Sequence, residues 1–212
     1  MKTEELIERL AAETGKGWSH QPAISWAPVW VGLAATVALF ACVFPLAPHA
    51  SGAPMPWPLA WRVPVLFMLA LVLCRALGHL SRPALAWRVH LQPLLWVPIV
   101  LSVVALARII WAHPQDRWDM IMGRSAGSCS LSIFLLSLPL LMGAMRVARQ
   151  WVVTRAGLTG AVLGWSSASV AALIYTLHCT ETEPAFVLLW YGLAVLLSGA
   201  LGSYWGQRHL RC

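Results

Sequence analysis

Between Arg124 and Arg146 the chain reads SAGSCSLSIFLLSLPLLMGAM (Ser125–Met145), twenty-one consecutive residues without a charge. A helix needs about 20 mostly apolar residues to cross roughly 30 Å of hydrocarbon, and this run supplies them. Four further stretches read the same way: Trp26–Leu46, Val89–Trp111 with Arg108 near its end, Ala156–Thr180 and Pro184–Gln207. One more span is harder to read. Only Val63–Cys74 separates Arg62 from Arg75, about 18 Å of helix at roughly 1.5 Å per residue. It can still cross as Leu59–Leu80 if both arginines snorkel to opposite interfaces, with Trp57 and Trp61 in an aromatic belt. A re-entrant hairpin is the competing arrangement. The expectation is an all-α polytopic membrane protein with six transmembrane helices. Residues 1–25 form a cytoplasmic N-terminal segment, and residues 26–212 form the six-helix domain with a short cytoplasmic tail.

Composition agrees. Of 212 residues, 59% are hydrophobic and 11% charged, against roughly a quarter charged in soluble domains. That excludes a water-soluble globule, and the hydrophobicity excludes a disordered chain. Met1–Gly17 is charged and polar, so it does not read as a cleavable signal. The net charge of +7, from 15 basic and 8 acidic residues, reads as topology rather than nucleic-acid binding. With the N-terminus inside, Lys2, Arg9, Lys16, Arg75, Arg82, Arg88, Arg146, Arg149, Arg155, Arg208 and Arg211 all face the cytoplasm. Arg117 and Arg124 fall outside, and Arg62 and Arg108 near the outer interface. The positive-inside rule then places both termini in the cytoplasm.

Membrane chemistry needs polar groups in the spans, and few are present. No Asp or Glu falls in any proposed span, which argues against ion-coupled transport. There is no HExxH and no CxxC, and Gly164-Trp-Ser-Ser lacks the second glycine of a GxSG serine protease. No enzyme is expected. Gly160 and Gly164, with Gly157, Ser167 and Ala171, and on the last span Gly199, Gly202 and Gly206, read as close-packing positions within the bundle.

Two features remain. Cys129 opens the fourth span and Cys179 closes the fifth, and consecutive helices with a short connection pack antiparallel, so the thiols lie at similar depth near the outer face. With adjacent His178, they could ligate a soft metal ion. Alone they could form a disulfide, or serve simply as small packing residues. At the other end, Thr3 can cap a helix with Glu4 and Glu5 in its first turn, and Leu6, Ile7, Leu10 and Ala11 make one apolar stripe. Four glutamates against three basic residues disfavour an anionic lipid surface and suit a protein partner with a basic groove.

The stretch Tyr175-Thr-Leu-His178-Cys179-Thr-Glu181-Thr-Glu-Pro184-Ala-Phe186, then Trp190-Tyr191 and a glycine-rich last span, resembles the NrsF family of membrane anti-sigma factors. The opening Met1-Lys-Thr-Glu-Glu-Leu-Ile and the six-span layout match as well, so the resemblance covers essentially the whole chain. It departs at the C-terminus, where Cys212 stands in place of an aromatic residue. The resemblance implies a bacterial inner-membrane protein that holds an extracytoplasmic-function sigma factor inactive on the cytoplasmic side. On that reading Glu4, Leu6, Ile7 and Leu10 contact the sigma factor, and Cys129 and Cys179 take part in sensing metal or oxidative stress. A heavy-metal ion would be a transient ligand of Cys129, His178 and Cys179, with no constitutive cofactor. The partners are the sigma factor and the lipid bilayer, with a homo-oligomer left open and no nucleic acid. A small membrane transporter or permease subunit is the alternative from a different class, and a structural assembly protein a third.

Overall fold

Each apolar stretch marked out by the charge pattern is a helix. The computed structural model describes residues 25–45, 57–80, 87–123, 125–150, 153, 155–179, 181 and 183–210. The N-terminal segment 1–24, with its expected helix and Glu4, Leu6, Ile7 and Leu10, lies outside the described residues, as does Cys212. The elements are α1 (Ala27–Val43), α2 (Trp57–Leu80), α3 (Trp87–Trp111), a short α4 (Arg117–Met122), α5 (Ala126–Ala148), α6 (Ala156–Tyr175) and α7 (Pro184–His209). No strand occurs among the described residues. Helix α5 together with the preceding α4 turn, α6 and α7 are each long and apolar enough to cross a membrane. Helix α1 and residues 98–111 of α3 are shorter apolar helices.

Helix α6 is the centre of the bundle. It is apolar or small on every face, as a helix surrounded by others must be, and thirteen of its residues from Thr159 to Tyr175 are buried. Two of its hydroxyls return to its own backbone: Ser166 Oγ donates to the Leu163 carbonyl at 3.0 Å and Ser169 Oγ to Trp165 at 2.8 Å. Helices α2, α5 and α7 pack around it. The α6–α7 seam runs backbone on backbone. A Cβ at Gly160 would collide with the Gly202 carbonyl, and one at Gly164 with the Ser198 carbonyl. The glycines of both helices thus serve packing within one chain, as their spacing suggested.

Helix α1 lies against α5 by the same device. A Cβ at Gly32 would stand 2.6 Å from the Pro139 carbonyl, and Gly143 faces Pro28. Pro139 cannot donate to the α5 backbone ladder. Buried Thr36 then adds a polar tie, its Oγ1 donating to Leu136 O at 3.1 Å and sharing with Gly32 O. Ser137 and Ser198 hydroxyls meet at 2.9 Å between α5 and α7. In lipid such small-residue contacts and hydroxyl bonds replace the hydrophobic drive that water supplies.

The two ends of the bundle differ. Ser25 N–H donates to Gln150 Oε1 at 3.1 Å, and Gln207 lies beside Gly157. The described start of α1, the end of α5, the start of α6 and the end of α7 therefore share one end. The opposite end carries Pro45, α4, Cys129, Cys179 and the start of α7.

Replacing Gly160 by Val should drive α6 and α7 apart and cost about 1–3 kcal/mol, the usual range for overpacking. A thermal unfolding assay that follows exposure of the buried cysteines in detergent should show the lower transition. Gly127→Ala, where nothing stands within 4 Å of an added Cβ, should leave the transition unchanged or raise it slightly.

Candidate functional site

The antiparallel packing of α5 and α6 brings the first turn of α5 level with the chain just beyond α6, and the two expected cysteines meet there. Cys129 is 1% exposed and Cys179 is 6% exposed, and their thiols are in hydrogen-bonding contact with each other. They are not joined as a disulfide. Cys42 and Cys74, by contrast, are exposed on the outside of the bundle.

Polar groups surround the pair. Ser125 Oγ stands 3.2 Å from Cys129 Sγ, one helical turn before it. The Tyr175 hydroxyl donates to Cys129 Sγ at 3.4 Å. Cys179 Sγ accepts from the Glu181 backbone N–H and lies beside the Tyr191 hydroxyl, within electrostatic reach of Arg62. Around these groups close Phe40, Leu66, Ile133, Phe186 and Val187, all buried in one cluster with the two cysteines.

Helix α6 ends at Tyr175, five residues short of the expected span, because the next residues turn to build this site. Cys179 N–H returns to the Tyr175 carbonyl at 3.1 Å. His178 sits between the rings of Phe44 and Tyr175, inclined to both, with centroids 5.1 and 5.6 Å away, and its Nδ1 meets the Pro45 carbonyl at 2.7 Å. His178 therefore ties the end of α1 to the end of α6.

Tyr191 reaches the thiols because α7 opens with an irregularity. Pro184 starts the helix, where its missing N–H is no loss, but Val187–Tyr191 winds as a single π turn. Such turns insert one residue and occur often at functional sites. The displaced Trp190 carbonyl is taken by Ser130 Oγ at 2.7 Å, while Trp190 Nε1 donates to Ile121 O at 3.0 Å. Gly123, at φ +54°, presses against Phe186, where a Cβ would stand 2.7 Å from the ring. Nearby, Arg108 pairs with Glu183 at 3.2 Å across α3 and α7.

The structure thus brings together Cys129 and Cys179, with His178 adjacent in the chain but engaged with Pro45. Two thiols are soft ligands, yet the described residues contain no group of three His, Cys, Asp or Glu side chains arranged to hold a metal ion. The residues that sequence reasoning missed are Ser125, Tyr175, Tyr191 and Arg62. Ser125 was discoverable, since it precedes Cys129 by one helical turn, whereas Tyr175 donates to Cys129 on the neighbouring helix. Arg62 was expected to snorkel to the interface and is instead 2% exposed, because α2 turns this side chain toward α6 and the thiol end of the bundle.

The chain is similar to known proteins along its length. The family described as "Negative regulator of sigma F" matches residues 10–212. The "Probable anti-sigma-F factor NrsF" of Azospira oryzae is 31% identical over 221 residues, covering 100% of both chains. The "Anti-sigma-F factor NrsF" of Caulobacter vibrioides is 33% identical over 220 residues, again covering 100% of both. No solved structure matches the chain.

Ser130→Ala would leave the Trp190 carbonyl buried without its partner, which costs about 1–3 kcal/mol. The expected outcome is a lower unfolding temperature together with faster maleimide labelling of Cys129 and Cys179. A change in neither would mean that the π turn does not depend on this bond.

Proposed function

The chain belongs to the NrsF family of negative regulators of sigma F, and from that premise we propose that it is an integral-membrane anti-sigma factor with six spans and both termini in the cytoplasm. Its place is the bacterial inner membrane. It holds an extracytoplasmic-function sigma factor inactive through residues 1–25, with Leu6, Ile7 and Leu10 in an apolar groove and Glu4 on a basic neighbour. A metal or redox signal acting on Cys129 and Cys179 at the outer face releases the sigma factor. The family is regulatory rather than enzymatic.

The observation that carries this reading is the end-to-end match with two anti-sigma-F factors, which includes the N-terminal segment as well as the helices. The arrangement of the bundle supports the division of labour. The thiol pair sits at one end, and Ser25, where the N-terminal segment joins α1, sits at the other, held to Gln150. Helix α5 has 23 residues and so extends about 34 Å at roughly 1.5 Å per residue, enough to separate a sensing face from a binding face by a bilayer. The described beginning and end of the bundle lie at the same end, which suits termini on one side.

Co-expressed with its sigma factor, the full chain should capture it in a pull-down, and removal of residues 1–15 should abolish capture. Capture that survives the deletion would remove the N-terminal segment from the binding role. Cys129→Ser or Cys179→Ser should keep capture but lose the response of a sigma-dependent reporter to thiol-reactive signals. A normal response in both variants would return the cysteines to packing.

A further inference from the structure

Cys179 stands in a tight turn rather than a loose loop. Beyond Tyr175, Thr176 N–H donates to the Ala172 carbonyl at 2.9 Å and Leu177 N–H to Ile174 at 3.2 Å. The N–H groups of His178 and Cys179 both reach the Tyr175 carbonyl, at 3.0 and 3.1 Å. Thr176 Oγ1 adds a second bond to Ala172 at 2.8 Å. Each residue from Thr176 to Cys179 is thus fastened to the last turn of α6, and His178 moves with Cys179 as one unit.

The far end of α1 meets this turn. Along its length α1 packs on α5, with Gly32 at Pro139 and Gly143 at Pro28. Where it stops, Phe44 N–H returns to the Phe40 carbonyl at 2.8 Å, the two rings stack 5.8 Å apart, and Phe44 sets its ring edge-on to Tyr175 at 5.4 Å. Tyr175 in turn donates its hydroxyl to Cys129. Pro45 comes next, its carbonyl past the helix end and outside the ladder of α1. His178 Nδ1 takes that carbonyl at 2.7 Å, across 133 residues of sequence. A carbonyl oxygen only accepts, so Nδ1 carries the hydrogen. The bond commits this nitrogen to α1 and not to the thiols or to a metal ion.

Resting on the reading that the chain holds a sigma factor through residues 1–25, we propose that His178 is a positioning residue of the regulation. Its Nδ1–H bond to Pro45 latches α1, the helix that continues from the binding segment, to the turn that carries Cys179. The arrangement described has both sulfurs as thiols, with Cys129 hydrogen-bonded to Ser125 and Tyr175. The latch therefore favours the thiol arrangement of the bundle, and on the proposed reading that arrangement retains the sigma factor. Whatever the chemistry at the sulfurs, a displacement of Cys179 displaces His178 and strains the latch. Removing the latch shifts the balance the same way without any signal, because an interaction made in one arrangement and absent from the other sets their ratio.

The test uses the full chain co-expressed with its sigma factor and a sigma-dependent reporter, with no signal added. His178→Phe keeps a ring between Phe44 and Tyr175 but has no donor. His178→Asn lacks the ring but places an amide N–H where Nδ1 stands. At equal protein in the membrane by immunoblot, His178→Phe should raise the basal reporter about two- to tenfold, the worth of one hydrogen bond in a two-state balance, and His178→Asn should stay near the parent. The same rise should appear in a Cys129→Ser background, since the latch acts between the thiols and α1. His178→Leu, also without a donor, serves in place of His178→Phe if that variant does not accumulate. A basal reporter at the parent's level in the donor-less variant would overturn the proposal. So would a rise in His178→Asn equal to that in His178→Phe, which would make the ring and not the bond responsible, and so would a rise that disappears with Cys129→Ser. All three outcomes leave the anti-sigma reading standing. A parent chain that fails to lower the reporter would remove that reading and the proposal together.

Discussion

Backbone contact between α6 and α7 is the constraint from which the rest of the bundle follows. Lipid gives helices no hydrophobic reason to associate, so their contact must come from close packing and polar ties. Gly160, Gly164, Gly202 and Gly206 remove the side chains that would hold the two backbones apart. Once α6 is pinned along this seam, it becomes the central helix, and α2 and α5 settle on its remaining faces. The small residues of α6, a poor apolar stripe by any soluble standard, are what a fully surrounded helix requires.

The thiol site is a consequence of that packing. Helices α5 and α6 run antiparallel, which sets Cys129 near the start of one level with Cys179 beyond the end of the other. The π turn in α7 then rotates Tyr191 inward without disturbing the seam further along, and Ser130 compensates the carbonyl that the turn displaces. Elsewhere in the bundle most buried hydroxyls found a partner at little cost: Thr36, Ser137, Ser166, Ser169 and Thr176 each bond a carbonyl or one another. Thr159 is an exception that nothing in the structure explains. Among the described residues, Arg62 Nε and Nη2 also lack a partner.

Helix positions were legible because helices long and apolar enough to cross a bilayer follow a coarse rule: long uncharged runs between arginines. The limits expected for α5 at Ser125–Met145 and for α7 at Pro184–Gln207 fall within three residues of those observed. Departures occurred where side-chain chemistry overrides hydropathy. Helix α6 stops at Tyr175 because His178 is drawn to Phe44 and Pro45, partners more than a hundred residues away that no local pattern reveals. The α4 turn, polar at Asp116 and Asp119, falls between the expected spans, where a loop was expected. The cysteine pair was legible from topology alone, whereas the burial of Arg62 was not. An arginine near a span end snorkels by default, and only the path of α2 over α6 decides otherwise.

For a signal at the thiols to reach residues 1–25, it must favour one arrangement of the bundle over another. A tenfold change in affinity at the far end corresponds to about 1.4 kcal/mol of such preference, less than the cost of one unpartnered buried charge. The packing offers a contiguous route. Cys129 stands on α5, α5 meets α1 through Gly32, Gly143 and the Thr36–Leu136 bond, and α1 carries the N-terminal segment. His178 closes a shorter path, since its bond to Pro45 ties the residue next to Cys179 directly to the end of α1. Helices in backbone contact slide or tilt as units rather than bend, so on the proposed reading a change of sulfur–sulfur distance at one end of α5 and α6 would reach α1 at the other. A sensor whose thiols were joined to the binding segment through loops would lose that displacement in the loops. Here α5 and α1 are helical along the described route, and on the proposed reading the glycines that make the seams tight would also make the transmission stiff.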